Sequence, residues 1–161
     1  MTNLFLRRPE NEMQSTELDD VIRESLGSFY DDISGDWCGR EREAVSLFAF
    51  GHLASHCGPS RPLSLAQIGI EVAVQQLARS EQHLRRGPTV CKDLVIWPEP
   101  NMTLWDADGK LKNKPLAVME WKVNYSFGRR AHDNNRREHR TDVQWLQETS
   151  ERVKVFTGYA V

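Results

Sequence analysis

Apolar residues recur at helical spacing in two segments of the N-terminal half. In residues 15–30, a stripe of apolar and small side chains consists of Leu18, Val21, Ile22, Ser25 and Leu26. In residues 40–56, a stripe of apolar and small side chains consists of Ala44, Leu47, Phe50, Gly51 and Ala54. Neither stripe contains a proline, so the pattern predicts two helices, the second of them largely buried.

The period of the pattern then changes from helical to strand-like. Ile68, Ile70, Val72 and Val74 alternate with Gly69, Glu71 and Ala73, which predicts a strand with one deeply buried face. Residues 90–97 and 116–125 are rich in β-branched and aromatic residues and predict two more strands. Between them, Asp108 and Gly109 form a turn signal, so residues 103–111 are expected to leave the sheet as a hairpin-like excursion.

The C-terminal part predicts one more helix and one more strand. Residues 141–152 have helical spacing with Thr141 as a cap, and residues 153–161 are β-prone. The order is therefore helix, three strands, helix, strand, which indicates an α/β fold with a central mixed sheet flanked by helices. A chain of 161 residues with 39% hydrophobic content suits a single domain. Its core is expected in residues 40–161, with residues 1–36 as an N-terminal helical extension.

Charge is distributed unevenly along the chain. The net charge is only -2, but residues 10–36 are acidic and residues 128–140 are rich in arginine. Cys38, Cys57 and Cys91 form an odd set without short paired spacings, which favours reduced thiols over a disulfide framework. The sequence has no apolar run long enough for a secretion signal or a membrane span, so a soluble cytoplasmic protein without membrane contact is expected.

Three charged residues interrupt the predicted strands. Glu120 and Lys122 are two positions apart, so their side chains should emerge on one face, with Met119 and Trp121 in the opposite layer. Asp93 interrupts another apolar strand, where an unpaired charge would be costly to bury. If these strands are neighbours, Asp93 lies beside Glu120, and a hard divalent cation would relieve the repulsion between the carboxylates. The alternative is an ordinary exposed charged pair on an edge strand.

These residues resemble the motif of the PD-(D/E)XK nuclease superfamily, which has the restriction-endonuclease-like fold. The matching pieces are Asp93 in KDLVIW, the triplet EWK at residues 120–122, an upstream helix that carries glutamates, and a downstream helix and strand. The match extends from about Arg40 to the C-terminus, and the order of elements is that of the family core. The chain departs from the family pattern at Lys92, where a proline is usual, and in the long segment between Asp93 and Glu120.

The resemblance implies hydrolysis of DNA phosphodiester bonds with Mg²⁺ or Mn²⁺. Asp93 and Glu120 would hold the metal, Lys122 would orient or help to deprotonate the attacking water, and an upstream glutamate would support them. We expect Glu43 in that last role, because it is closest to the predicted apolar side of its helix. Glu41 and Glu71 are the alternates.

The arginine-rich segment is the expected nucleic-acid contact. Its members are Arg129, Arg130, Arg136, Arg137 and Arg140. In the family layout this segment would track phosphates near the catalytic edge. DNA is the expected partner, RNA stays open, and a homodimer is compatible with cleavage of both strands. Two other hypotheses are a noncatalytic binding module on the same scaffold, and a zinc site at His52, His56, Cys57 and Cys38.

Overall fold

The protein is described by a computed structural model. It covers residues 15–33, 39–75, 89–121 and 157–160, together with Arg140, Val143, Gln144, Leu146 and Gln147. Statements about the structure refer to these residues. None of the helices among them is both long enough and apolar enough to cross a bilayer.

Two helical segments precede the sheet. Helix α1 spans Ser15–Ile33, and α2 spans Glu41–Leu47. The chain then continues without a break through a π-helical turn, Phe48–His52, and a 3₁₀ turn, Leu53–His56. A second 3₁₀ turn, Leu65–Gln67, leads into the sheet. Both helices predicted from the sequence are therefore present, within a few residues of the predicted bounds.

The sheet has four strands in the order β1-β2-β3-β4. These are β1 at Ile68–Gln75, β2 at Thr89–Ile96, β3 at Ala117–Glu120 and β4 at Thr157–Ala160. The first three run antiparallel to their neighbours, and β4 runs parallel to β3. A parallel neighbour requires a crossover connection. The described residues between 140 and 147 in that connection are helical, so the α/β class and the mixed sheet are confirmed.

The core consists of two apolar clusters, one on each face of the sheet. The first lies under the helices and includes Ile22, Phe29, Phe48, Leu94 and Met119. The second lies on the opposite face and includes Val74, Val95, Trp97, Leu104 and Leu146. Because α1 supplies several fully buried side chains to the first cluster, it is part of the core and not an appendage to it.

The buried side of the second helical segment differs from the predicted one. Its buried residues are Ala44, Val45, Phe48, Ala49, His52 and Leu53, whereas Leu47 and Phe50 are 39% and 65% exposed. The buried positions are four apart, a spacing that drifts around a regular α-helix of 3.6 residues per turn. The wider π-helical turn at Phe48–His52 keeps them on one side. The predicted apolar stripe was therefore wrong in its orientation.

Strand β1 also departs from the regular alternation that the sequence predicted. Ile68 and Ile70 pack against the first cluster, whereas Val72 and Val74 belong to the second. The switch occurs at Glu71, whose backbone is in the left-handed region with φ 53°. A Cβ on Gly69 would come within 2.4 Å of the Val72 side chain, so glycine is required for this close approach. The four apolar residues therefore do not share one face.

The excursion between β2 and β3 is confirmed. Trp105 and Leu111 form an isolated antiparallel bridge, and Gly109 has a positive φ of 74° in the turn between them. The Asp106 carboxylate accepts hydrogen bonds from the backbone N–H groups of Asp108 and Lys110. This segment packs Leu104 and Leu111 onto the second cluster, so it covers the sheet face opposite the helices.

Candidate active site

A buried ion pair joins the two central strands. The ammonium of Lys92 on β2 donates to Glu120 Oε1 on β3. The two side chains are only 4% and 7% exposed. Removing both charges from water is costly, and direct pairing is what makes their burial tolerable. Lys92 and Glu120 therefore form a buried ion pair within the sheet.

Asp93 lies next to this pair. The register pairs Leu94 with Met119. Because the strands are antiparallel, Asp93, the residue before Leu94, lies beside Glu120, the residue after Met119. Asp93 Oδ2 accepts a hydrogen bond of 2.8 Å from the backbone N–H of Trp121, which fixes the direction of its carboxylate. The expectation that β2 and β3 are neighbours is confirmed, and the structure brings the two acids together.

The ionisation of Glu120 reflects this crowding. The pKa of Glu120 is raised to about 8. Burial is the largest cause, the neighbouring Asp93 carboxylate also raises the pKa, and the Lys92 ammonium lowers it. Both raising effects disfavour a second negative charge at this point in the sheet. An additional cation next to the two carboxylates would favour the ionised form of Glu120.

A cleft opens beside Asp93 between the start of α2 and the kink in β1. Its volume is about 580 Å³. Its lining consists of Arg40, Glu41, Arg42, Val45, Ile70, Glu71 and Asp93. Among these only Asp93 also neighbours Glu120, so it connects the solvent-facing cleft to the buried ion pair. Five of the seven lining residues are charged, which suits a polar or ionic ligand better than an apolar one.

Glu71 faces this cleft through the irregularity in β1. The pairing runs from Ile70 with Leu94 to Val72 with Lys92, and Glu71 and Asp93 lie between these two pairs. The Glu71 carboxylate accepts two hydrogen bonds from the Arg42 guanidinium, at 2.6 and 2.9 Å. A non-glycine residue with positive φ costs on the order of 1 kcal/mol or more and is frequent at functional sites. The kink thus places a third carboxylate on the cleft.

The upstream acid at the cleft is Glu41, not Glu43 as expected from the sequence. Glu43 Oε2 accepts a hydrogen bond of 2.8 Å from the backbone N–H of Arg40, so Glu43 caps the start of α2. Glu41 lines the cleft because the buried side of the helix is that of Val45 and Phe48. The sequence argument for Glu43 depended on the incorrect apolar stripe through Leu47 and Phe50.

Several expected site residues lie outside the described part of the chain. These are Lys122, Arg129, Arg130, Arg136 and Arg137. Arg140 is described, and it is helical and exposed. The roles expected for all six residues remain predictions.

Lys92 is the site residue that sequence reasoning missed. In the sequence Lys92 is recognisable only as a departure from the usual proline, although a charge in an apolar strand needs a partner here as it does at Asp93. A lysine in the middle of an apolar strand must find a partner if that strand is buried. The alternation of Lys92 with Leu94 and Ile96 was the available signal, and it indicated a paired cation in the core.

Two of the four residues considered as zinc ligands, His52 and Cys57, have other contacts. His52 Nδ1 lies 3.0 Å from Ser28 Oγ, and its Nε2 lies 3.5 Å from Asp32 Oδ2. The Cys57 thiol donates to the Leu53 carbonyl. Cys38 lies outside the described residues. Within the described ranges, no group of three or more His, Cys, Asp or Glu side chains is arranged to hold a metal ion.

Comparisons with known proteins do not assign the chain to a family. No protein-family model matches the sequence, and neither the curated proteins nor the solved structures include a significant match.

Proposed function

We propose that this protein is a metal-dependent endonuclease of the PD-(D/E)XK type that hydrolyses phosphodiester bonds in DNA. The observation that carries the proposal is the juxtaposition of Asp93 and Glu120 on adjacent central strands, with Asp93 also lining a charged cleft. A sheet gains no stability from two neighbouring carboxylates. Their proximity is accounted for if both serve a cation.

The residues present fit a divalent metal ion. Mg²⁺ prefers oxygen ligands, and in phosphoryl-transfer sites it is commonly held by one or two carboxylates plus water and substrate oxygens. Asp93 and Glu120 provide such a pair, and water and a phosphate would provide the remaining ligands. The raised pKa of Glu120 has the same implication, because burial and Asp93 leave this carboxylate short of positive charge even with Lys92 beside it.

When bound, the metal would polarise the phosphoryl group and lower the pKa of a coordinated water. The protein's own groups would orient the reactants. The Trp121 N–H holds Asp93 in place, and Arg40 and Arg42 put positive charge on the cleft where phosphates would lie. We assign to Lys122 the stabilisation of the developing negative charge, as the family motif implies.

The topology supports the same family. A helix that carries Glu41 is followed by three antiparallel strands, a connection with helical residues, and a fourth strand parallel to the third. This is the order inferred for the restriction-endonuclease-like core from the sequence. Asp93 and Glu120 occupy the second and third strands in that order, which are the positions of the family's acidic residues.

A noncatalytic binding module is the second candidate, and the Lys92–Glu120 ion pair favours it. In the structure the Lys92 ammonium already contacts Glu120. A scaffold that had lost its metal could retain the acid in this way, and the charged cleft would then bind an anionic partner without cleaving it. The two candidates differ in whether a divalent cation binds at Asp93 and Glu120.

Cleavage assays decide between them. Plasmid, linear, single-stranded and branched DNA, and single-stranded RNA, are incubated with the protein and Mn²⁺ or Mg²⁺. We expect cleavage of DNA that Asp93→Asn and Lys122→Ala each reduce by roughly 100-fold or more. Asp108→Asn is the matched control, since this exposed acid lies in the hairpin turn away from the cleft. Cleavage that persists in both site variants, or none in the wild type, would remove the nuclease proposal.

A further inference from the structure

Lys92 has a position that the proposed chemistry does not require. Its ammonium lies on Glu120, the carboxylate assigned to the metal, and both side chains are buried. A structural lysine at the edge of a site would instead extend its ammonium to water, as lysine side chains generally do. We infer that Lys92 is a built-in counter-ion that competes with the divalent metal for Glu120 and so sets the metal affinity of the site. This inference rests on the proposed function.

The contact between Lys92 and Glu120 limits the space for a metal ion at this carboxylate. A lysine ammonium in direct contact with Glu120 Oε1 uses the oxygen that a metal ion would need. Metal–oxygen contacts are as short as a hydrogen bond or shorter, so both cations cannot contact that oxygen from the same side. Binding of the metal at this oxygen therefore requires the Lys92 ammonium to withdraw.

The Lys92 ammonium and a metal ion at Glu120 would also repel each other. Like charges in a buried site repel more strongly than in water, because the surroundings screen them less. Lys92 and a divalent ion at Glu120 would face each other across one carboxylate, with Asp93 as the nearby acid. The flexible four-carbon stem of lysine allows the ammonium to move away. The free energy of losing the Lys92–Glu120 contact is then subtracted from the free energy of metal binding.

The Lys92–Glu120 contact also stabilises the protein in the absence of metal. If Lys92 were absent, the metal-free protein would hold Glu120 as a buried carboxylate without this cation beside it, and the sheet would lose stability. Lys92 provides the positive charge beside Glu120 and so stabilises the metal-free fold. The same contact lowers the affinity of the site for metal. Lys92 therefore sets the concentration of divalent cation at which the metal binds.

Binding of Mn²⁺ to charge variants at position 92 tests this inference. Lys92→Gln keeps a hydrogen-bond donor for Glu120 but removes the positive charge, and Lys92→Arg keeps the charge. By isothermal titration calorimetry, we expect Lys92→Gln to bind Mn²⁺ about tenfold or more tightly than the wild type. Lys92→Arg should stay close to the wild-type affinity. Lys110→Gln is the matched control, because it removes an exposed lysine from the hairpin turn.

Each outcome has a defined meaning. Equal or weaker Mn²⁺ binding by Lys92→Gln overturns the inference, as does tighter binding by Lys92→Arg. If Asp93→Asn abolishes binding in that case, the proposed metal site survives. Absence of Mn²⁺ binding in both the wild type and Lys92→Gln overturns the inference and the proposed metal site together.

A folding measurement covers the case in which Lys92→Gln is unfolded without metal. The inference then requires Mn²⁺ to restore the circular dichroism spectrum of the folded protein, since the metal replaces the missing charge on Glu120. The same titration on Asp93→Asn/Lys92→Gln should restore nothing, because one of the two assigned metal ligands has been neutralised. A Lys92→Gln variant that stays unfolded in Mn²⁺ contradicts the inference.

Discussion

The two ends of the central strands have opposite characters. At one end, Leu94 and Ile96 on β2 and Met119 on β3 are fully buried among apolar side chains under the helices. At the other end, one or two positions along the same strands, Lys92, Asp93 and Glu120 form a cluster of charges. The apolar end gains free energy from burial, whereas the charged end loses solvation and recovers it only by pairing.

The boundary between the two ends is the irregularity at Glu71 and Asp93. Even-numbered residues of β1 and β2 lie on the helix-covered face at the apolar end and on the opposite face beyond the irregularity. Of the three charged side chains beyond this switch, Asp93 lines the cleft, whereas Lys92 and Glu120 stay buried as an ion pair. One sheet can therefore provide both a stable apolar core and an electrostatically unfavourable site, if a local irregularity in its strands separates the two.

Removal of Glu120 should have the largest effect on stability. Glu120→Ala deprives the buried Lys92 ammonium of its carboxylate, which should lower the free energy of unfolding by about 3–5 kcal/mol. Chemical denaturation monitored by circular dichroism measures this change. The variant should also lose any increase in melting temperature on addition of Mn²⁺, because one of the two assigned metal ligands is gone.

The double variant Lys92→Met/Glu120→Met separates the cost of an unpaired charge from the value of the pair. Replacement of a buried ion pair by apolar residues of similar size is often neutral or stabilising by about 1–4 kcal/mol. We therefore expect the double variant to be much more stable than Glu120→Ala, but still unresponsive to Mn²⁺. A double variant as unstable as Glu120→Ala would show that the charges are not the source of the effect.

Truncation at the apolar end should produce the contrasting result. Leu94→Ala removes a fully buried side chain from the first cluster and should cost about 2–5 kcal/mol of stability. Asp93, Glu120 and Lys92 are left in place, so the increase in melting temperature with Mn²⁺ should equal that of the wild type. Loss of the metal response in Leu94→Ala would mean that the two ends of the strands are not separable.

The fold was largely predictable because it depends on the period of apolar residues. The spacing in residues 15–30 and 40–56 identified both helices, and the alternation after Ile68 identified the sheet. The α/β class followed from the order of these elements. Patterns of this kind involve residues that are close together in the sequence, so a single sequence is sufficient to recognise them.

Details that depend on local departures from regular geometry were not predictable. The π-helical turn at Phe48–His52 changed the buried side of the helix, and with it the choice between Glu41 and Glu43. The left-handed backbone of Glu71 changed the faces of β1. Both departures are imposed by packing between elements that are distant in the sequence, so no periodicity argument contains them.

The candidate site was predictable in its acids but not in its counter-ion. Asp93 and Glu120 were identified because charged residues in apolar strands need a partner, and the structure places them together. The partner in the metal-free protein is Lys92, which depends on how two strands are aligned across 28 residues of sequence. The sequence pattern predicted instead a metal ion and Lys122 as the positive charges at these acids.

The pH dependence of stability should also separate the two ends. The pKa of Glu120 is raised from 4.5 to about 8, so the folded protein binds more protons than the unfolded chain between these values. Stability contributed by this group is present below pH 4.5 and is lost as the pH rises towards 8, by at most about 1.4 kcal/mol per pH unit. Leu94, Ile96 and Met119 at the apolar end do not titrate, so this slope reports on the charged end of the strands.

Unfolding free energies of the wild type and Glu120→Gln, measured in metal-free buffer from pH 5 to 8, test this expectation. The wild type should lose stability relative to the variant as the pH rises, since glutamine does not titrate. A titration of the Glu120 carboxyl carbon by NMR gives the pKa directly. A value near 4.5 would contradict the argument that burial and Asp93 disfavour the charge on Glu120.

The smallest effect on stability is expected at the outer rim of the cleft, where Arg42 pairs with Glu71. The two side chains are 74% and 46% exposed, and exposed ion pairs contribute only about 0–1 kcal/mol. Arg42→Ala should therefore unfold almost like the wild type. Its effect should appear in DNA binding, because the variant removes a positive charge and leaves the Glu71 carboxylate without its guanidinium partner at the cleft.

Fluorescence anisotropy with a short DNA duplex measures this effect, and the opposite variant provides its control. Arg42→Ala should weaken binding a few-fold and reduce the dependence on salt by about one counterion. Glu71→Gln should strengthen binding, because it frees the Arg42 guanidinium for phosphate and removes a negative charge. If both variants changed DNA affinity in the same direction, a change in local structure at the β1 kink would be the cause. Opposite changes in affinity, at unchanged stability, would mean that DNA phosphate competes with Glu71 for the Arg42 guanidinium.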